Sequence, residues 1–110
     1  MTKAVNKDSV FLGTELKLNI HIDPIGSITM EDYDFEVEVY CSSAFSVKVP
    51  KEKAIKVDKD NYIILIDTTE LGTGKVKLKI TAYIPDEDFS DHLRTEVTYV
   101  NTSISILRGV

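Results

Sequence analysis

The sequence predicts an all-β protein, an immunoglobulin-like antiparallel β-sandwich of about seven strands. Apolar and polar residues alternate along several short stretches, as in strands with one buried face and one solvated face. Glycine, proline and serine interrupt these stretches at intervals of about 8–12 residues, which is typical of sandwiches. No stretch has the period of a long helix, so a helical or mixed fold is disfavoured.

Length and charge indicate one acidic domain. We expect residues 1–110 to form a single immunoglobulin-like domain, because 110 residues can bury a core without disulfides or metal. Its 18 acidic and 13 basic residues give a net charge of −5. This balance disfavours binding to nucleic acid and to anionic membrane surfaces.

Cysteine usage and the first residues bear on localisation. Cys41 is the only cysteine, which fits a protein made and kept in a reducing cytoplasm. The sequence begins without the apolar run of a signal peptide, and no stretch approaches the roughly 18 apolar residues of a membrane-spanning helix. We therefore expect synthesis in the cytoplasm without export by the usual route.

The first half of the chain contains up to four strands. Residues 1–14 are weakly patterned and predict either a short edge strand or an N-terminal arm. Residues 15–23 alternate strictly, and residues 35–41 and 45–49 follow with the same period.

A three-residue turn is predicted between the third and fourth of these stretches. It would pair Glu38 with Lys48, which places opposite charges across the ladder, and Cys41 with Phe45. The same register predicts that Cys41 and Phe45 both face the core.

In the second half, residues 51–60 predict a brief strand or a crossing between sheets. Residues 61–67 are apolar on both sides, so one side lines the core and leaves Ile63 and Leu65 on the outer face. The alternative is that the first strand or the 51–60 segment covers some of the exposed apolar side chains, including these two.

A tight corner with one helical turn (67–72) precedes the longest alternating strand (76–84), in which every second residue faces the core. The final stretch, 94–107, changes phase near Asn101, which predicts a β-bulge or a bend. In an immunoglobulin-like topology the strand at 35–41 lies between those at 45–49 and 75–84.

That topology gives the lysine-rich outer face a structural explanation. Glu36 and Glu38 would be flanked by Lys48 on one side and by Lys77 and Lys79 on the other. We favour this neutralising role over a phosphate-binding patch.

No catalytic, cofactor or metal site is predicted, and we infer that the protein is not an enzyme and has no cofactor. His21 and His92 are isolated, and Cys41 reads as a small core residue. One loop is dense in carboxylates and is a candidate binding loop, although its spacing matches no calcium loop. Its members are Asp86, Glu87, Asp88, Asp91 and His92.

Surplus apolar and aromatic residues are the main functional signal. They cannot all enter one core, and exposed apolar patches usually indicate a partner. The candidate interface residues are Val10, Phe11, Leu12, Tyr40, Ile63, Leu65 and Tyr83.

Four segments carry a family resemblance. They are LGTELKLNIHI (12–22), MEDYDFEVEVYC (30–41), DNYIILIDTTELGTGKVKLKITAYIPD (60–86) and LRTEV (93–97). Together they resemble small immunoglobulin-like domains of phages and prophages of gut Bacteroidales, including crAss-like phages. More loosely, they resemble the N-terminal domain of phage baseplate upper proteins.

The resemblance implies a location in the virion and a non-enzymatic structural role, as a capsid auxiliary or decoration protein or a fibre adaptor. The implied partners are other capsid or fibre subunits, with a homo-oligomer as a further option. Two alternatives remain open. One is a carbohydrate-binding or adhesion module that uses Tyr40, Tyr83 and the acidic loop, and the other is a calcium-dependent module.

Overall fold

A computed structural model of the chain describes residues 9–42 and 44–109, which form two sheets packed face to face. The strands are β1 (Ser9–Phe11), β2 (Glu15–His21), β3 (Asp34–Tyr40), β4 (Ser46–Pro50), β5 (Ile55–Asp58), β6 (Asn61–Asp67), β7 (Gly74–Pro85) and β8 (Leu93–Leu107). Three single 3₁₀ turns lie at Met30–Asp32, Lys51–Lys53 and Thr68–Glu70. None of the helices in the described part of the chain is long and apolar enough to cross a membrane.

The strand order is that of an immunoglobulin-like sandwich, so the predicted fold class is confirmed. One sheet has five strands in the order β1-β8-β7-β3-β4, and the other has three in the order β2-β6-β5. All pairs are antiparallel except β1 with β8, which is parallel. Residues 9–11 therefore form an edge strand, and the rest of the predicted arm, residues 1–8, lies outside the described residues.

The core lies between the two sheets and is built by the alternation seen in the sequence. Along β7 the inward residues from Val76 to Ile84 are all buried, and the residues between them are partly exposed. Phe35 of β3 crosses the core to Tyr62 of β6, with ring centroids 5.1 Å apart in an edge-to-face arrangement. Period-two alternation thus determined which side chains fill the interior.

The β3–β4 connection differs in part from its prediction. Glu38 pairs with Lys48 as predicted, but the ladder ends at Tyr40 and Ser46, so the pairing of Cys41 with Phe45 does not form. Cys41 is half-buried against the core, and burial raises the pKa of its thiol. Phe45 is 62% exposed, so its predicted inward position is wrong. Because the ladder stops one pair earlier, the strand alternation does not extend to residue 45.

Residues 51–60, predicted to form a brief strand or a crossing between the sheets, form both. A 3₁₀ turn at Lys51–Lys53 leaves the five-stranded sheet, and β5 then joins the edge of the other sheet beside β6. Ile55 lies directly opposite Ile63 in this ladder. Consequently β5 extends the outer face of β6 sideways and does not cover it.

The corner after β6 is the predicted single helical turn. The Asp67 carboxylate accepts hydrogen bonds from the Thr69 N–H at 3.0 Å and from its hydroxyl at 2.8 Å. These bonds favour the ionised form and lower the pKa of Asp67. The Thr68 side chain is buried beneath this turn, where its hydroxyl donates to the Thr14 carbonyl at 2.7 Å.

The predicted irregularity near Asn101 is a bulge within one continuous strand. Lys75 pairs with Ser105 and Lys77 with Asn101, so β8 has two more residues than β7 between these pairs. The Thr102 hydroxyl donates to the Val76 carbonyl at 2.7 Å and satisfies an acceptor that the shifted register would leave unpaired.

Candidate functional site

The outer face of the five-stranded sheet carries interleaved charges. Glu38 lies between Lys48 and Lys79 in the register, as predicted. Glu36 instead lies between Pro50 and Thr81. The predicted flanking by lysines is therefore confirmed for Glu38, although no ion pair within 4.0 Å forms between the described residues there, and it is wrong for Glu36, because Lys77 pairs with Tyr40.

A cleft of about 260 Å³ opens on this charged face near the β3–β4 end. Its lining combines two tyrosines, one carboxylate, one ammonium and two hydroxyls, from Glu38, Tyr40, Ser42, Ser46, Lys79 and Tyr99. Tyr99 of β8 pairs with Lys79 of β7, which in turn pairs with Glu38 of β3. Three adjacent strands thus place an aromatic ring, a cation and an anion in one row.

Of the residues that line this cleft, Tyr40 alone was a candidate site residue from the sequence, and Tyr99 is the aromatic residue that was missed. Its side chain is 67% exposed, and the Lys79 ammonium lies 6.0 Å from its ring centroid. The alternation of β8 placed it on one face of its strand, but its neighbours follow only from the pairing with β7.

Tyr83 lies on the same outer face but in a different place. It pairs with Asp34 whereas Tyr40 pairs with Lys77, so six strand positions, about 20 Å, separate the two tyrosines. The Tyr83 hydroxyl donates to a Glu36 carboxylate oxygen at 3.3 Å. Partial desolvation and the nearby Glu36 charge raise the Tyr83 pKa. The two tyrosines of the carbohydrate-binding alternative therefore do not share one cleft.

Strands β5 and β6 carry apolar side chains on the outer face of the three-stranded sheet, and we call this part of the sheet the apolar face; the exposed residues of the adjacent strand β2 are polar. Ile55, Val57 and Leu65 are 49%, 56% and 58% exposed, and Ile63 lies opposite Ile55. Among the described residues, neither segment considered as a cover for Ile63 and Leu65 lies over them, because β1 joins the other sheet and β5 lies beside β6.

The remaining predicted interface residues lie at a third place, the β1 edge. Val10 is half-buried against the core, whereas Phe11 and Leu12 are exposed. Phe11 pairs with Leu107 in the parallel ladder. The seven candidate residues thus belong to three separate surfaces and do not form one patch.

The acidic loop is a compact turn between β7 and β8. The Asp86 N–H donates to the His92 carbonyl at 2.9 Å, and the Asp88 N–H donates to the Asp86 carboxylate at 3.0 Å. Arg94 lies 3.8 Å from Asp86 and 2.9 Å from Glu96. Within residues 9–42 and 44–109, no three His, Cys, Asp or Glu side chains are grouped so that they could hold a metal ion.

The histidine of β2 is engaged in surface hydrogen bonds. One ring nitrogen of His21 lies 3.1 Å from the Asn61 amide oxygen, and the other lies 2.9 Å from an Asp23 carboxylate oxygen. These bonds raise the His21 pKa above 6.5. His21 also lines a mainly apolar cavity of about 220 Å³ between the sheets, as does Glu96.

Comparisons with known proteins add a distant structural likeness. No protein-family model matches the chain, and no curated protein matches its sequence. The fold is similar to part of a candidate glycoside hydrolase from Bacteroides vulgatus, with a TM-score of 0.49 and 8% identity. The match covers 94% of this chain and 17% of the other. A likeness at this level carries no conclusion about activity or substrate.

Proposed function

We propose that the protein is a non-enzymatic phage structural protein, an immunoglobulin-like module that binds another virion subunit through its apolar face. The proposed roles are a capsid auxiliary or decoration protein or a fibre adaptor. The virion setting comes from the sequence resemblance, and the binding role from the apolar face.

The proposal rests on the apolar face, because its exposed side chains contribute little to the stability of the fold. Large side chains exposed in one contiguous patch are characteristic of protein interaction surfaces. Burial of an exposed Leu, Ile or Val contributes roughly 1.5–3 kcal/mol per side chain when complete. Ile55, Val57 and Leu65 are about half exposed, so a partner that buries them would gain a part of this free energy from each.

The neighbours of these side chains give the face a polar border. In the β2–β6 ladder, Lys17 lies opposite Leu65 and Asn19 lies opposite Ile63. An apolar centre with a polar rim is the ordinary anatomy of a protein interface. The five-stranded sheet also exposes Leu93, Val97 and Tyr99 along β8, but the outward positions of the adjacent strands β7 and β3 carry Lys, Thr, Tyr, Asp and Glu.

The test is incorporation into particles. Particles of the phage that carries this gene, purified on a density gradient, should contain the chain by mass spectrometry. A phage with Leu65→Lys should lose most of the chain from its particles. The matched control is Lys79→Ala on the opposite face, which should leave incorporation unchanged.

Two results would contradict the proposal. Particles of the unmodified phage that contain none of the chain would exclude the virion role. Equal incorporation of Leu65→Lys and Lys79→Ala would exclude the apolar face as the binding surface. Thermal melting of both purified variants should match the parent, which separates lost binding from lost folding.

A further inference from the structure

We propose that the cleft lined by Tyr40 and Tyr99 is a binding site for an uncharged sugar. This site lies on the five-stranded sheet, opposite the apolar face, and is independent of the virion contact proposed above. It would add a second binding activity to the same small domain.

The first argument is the exposure of Tyr99. A tyrosine ring has an apolar face and a polar tip, and it is rigid enough to bind without a large loss of conformational entropy. The 67% exposed side chain presents this surface to solvent. The C–H face of a pyranose ring is a flat apolar surface that packs on an aromatic ring.

The second argument is the polar complement around the ring. The Glu38 carboxylate only accepts hydrogen bonds and the Lys79 ammonium only donates them. A sugar hydroxyl can do both, so neighbouring hydroxyls can bind to both groups at once. Among hydrogen bonds and ion pairs within 4.0 Å between the described residues, neither side chain has a partner.

The tyrosine hydroxyls of this face differ in their hydrogen bonds, which supports placing the sugar site at Tyr40 and Tyr99 and not at Tyr83. Tyr83 shares the outer face, but its hydroxyl already donates to Glu36 at 3.3 Å. The Tyr40 and Tyr99 hydroxyls make no such bond to a described residue, and both line the cleft. At the Tyr83 end of the face the tyrosine hydroxyl is already hydrogen-bonded within the protein. At the Tyr40 and Tyr99 end the hydroxyls are available to a ligand.

Charge and size restrict the ligand class. Opposite charges from Glu38 and Lys79 lie side by side in the register, so the cleft presents no net charge of one sign to a phosphate or an acidic sugar. Its volume of about 260 Å³ is below the roughly 300–1,000 Å³ of sites for drug-sized ligands. One or two rings of a neutral oligosaccharide chain match this shallow cleft.

The experiment is isothermal titration of the full chain with four neutral oligosaccharides: maltotetraose, cellotetraose, tetra-N-acetylchitotetraose and galactotetraose. At least one should bind at millimolar or lower concentration. Tyr99→Ala should weaken that binding at least about fivefold, because the stacking surface is lost. Glu38→Gln should weaken it as well, because the amide is a poorer acceptor than the carboxylate.

Tyr83→Ala is the matched control, since it removes a tyrosine from the same face outside the cleft. It should bind the sugar as the parent does. No binding of any of the four sugars would overturn the proposal, as would equal binding by Tyr99→Ala and the parent. Equal losses in Tyr83→Ala and Tyr99→Ala would also overturn the assignment to this cleft. Melting temperatures of all variants confirm that each remains folded.

Discussion

The two outer faces of the sandwich differ in chemistry although they enclose the same core. The face of the five-stranded sheet presents Glu38, Lys79 and Tyr99 side by side, whereas the face of the three-stranded sheet presents Ile55 and Leu65. Charged residues on one sheet discourage pairing with other chains, and apolar residues on the other favour it. The two binding sites that we propose therefore differ in chemistry and lie on opposite sides of the domain.

The difference does not arise from the needs of folding. Alternating apolar residues of β2, β3, β6 and β7 fill the space between the sheets, and the exposed side chains of either outer face add little to this core. Surface substitutions of this kind usually change the free energy of unfolding by no more than about 0.5 kcal/mol. Substitutions on the outer faces should therefore change binding without changing the free energy of unfolding, and the following variants test this expectation.

The largest effect is expected from Phe35→Ala, which removes the ring that joins the two sheets. Phe35 is 1% exposed and contacts Tyr62 edge to face. Its loss should lower the free energy of unfolding by about 3–5 kcal/mol and abolish binding at both outer faces together. Urea denaturation followed by circular dichroism measures the change.

Phe45→Ala is the control for that variant, because Phe45 is an exposed phenylalanine of the same chain. Its unfolding free energy should stay within about 0.5 kcal/mol of the parent. If the two variants were equally destabilised, the boundary of the β3–β4 ladder described above would be wrong.

A smaller effect is expected from Lys51→Met, which tests the connection between the sheets. The Lys51 ammonium donates to the carbonyls of Met30, Glu31 and Tyr33 at 3.0, 3.1 and 2.7 Å. Methionine keeps most of the apolar stem and loses these charged hydrogen bonds, so we expect a loss of about 2 kcal/mol.

Urea denaturation measures the Lys51→Met change, and Lys53→Met is the control. Lys53 belongs to the same turn and is exposed. Its substitution should be nearly neutral. A matching loss in both variants would point to the general removal of positive charge, and not to the three carbonyl contacts.

The smallest effect is expected at His21, at the end of β2. Hydrogen bonds to Asp23 and Asn61 raise its pKa above 6.5. Since the folded-state pKa is higher than the unfolded one, the protonated ring stabilises the fold below about pH 6.5, and this contribution is lost as pH rises through the folded-state pKa.

Nuclear magnetic resonance titration of the imidazole protons measures this pKa directly. Asp23→Asn should lower it, because the carboxylate partner becomes a neutral amide. An unchanged His21 titration in Asp23→Asn would show that the Asp23 contact does not persist in solution.

Much of the fold followed from local pattern. The inward residues of β7, the single helical turn at residues 68–70 and the bulge after Asn101 were all predicted, because each depends on neighbouring residues along one strand or corner. Phe45 was misplaced since alternation was extended past the end of a ladder. Where a ladder ends depends on its partner strand, which a local pattern does not contain.

The candidate sites were harder to predict from the local sequence pattern than the strands were. Ile63 and Leu65 were assigned to an outer face because β6 is apolar on both sides, and the structure places them there. The cleft was missed in part because Tyr99 and Tyr40 are distant in sequence and are separated in space by one strand. Tyr83, chosen in its place, is an aromatic residue of the same face at the wrong position along it.

By itself, the sequence determined the all-β class and the inward faces of β2, β3, β6 and β7, since period-two alternation is a property of consecutive residues. Only the tertiary structure decided which outward residues become neighbours, because that depends on register between strands far apart in the chain. Register brings Tyr99 beside Lys79 and Glu38, and it brings Ile55 beside Ile63. Both surfaces on which function is proposed are therefore products of strand pairing.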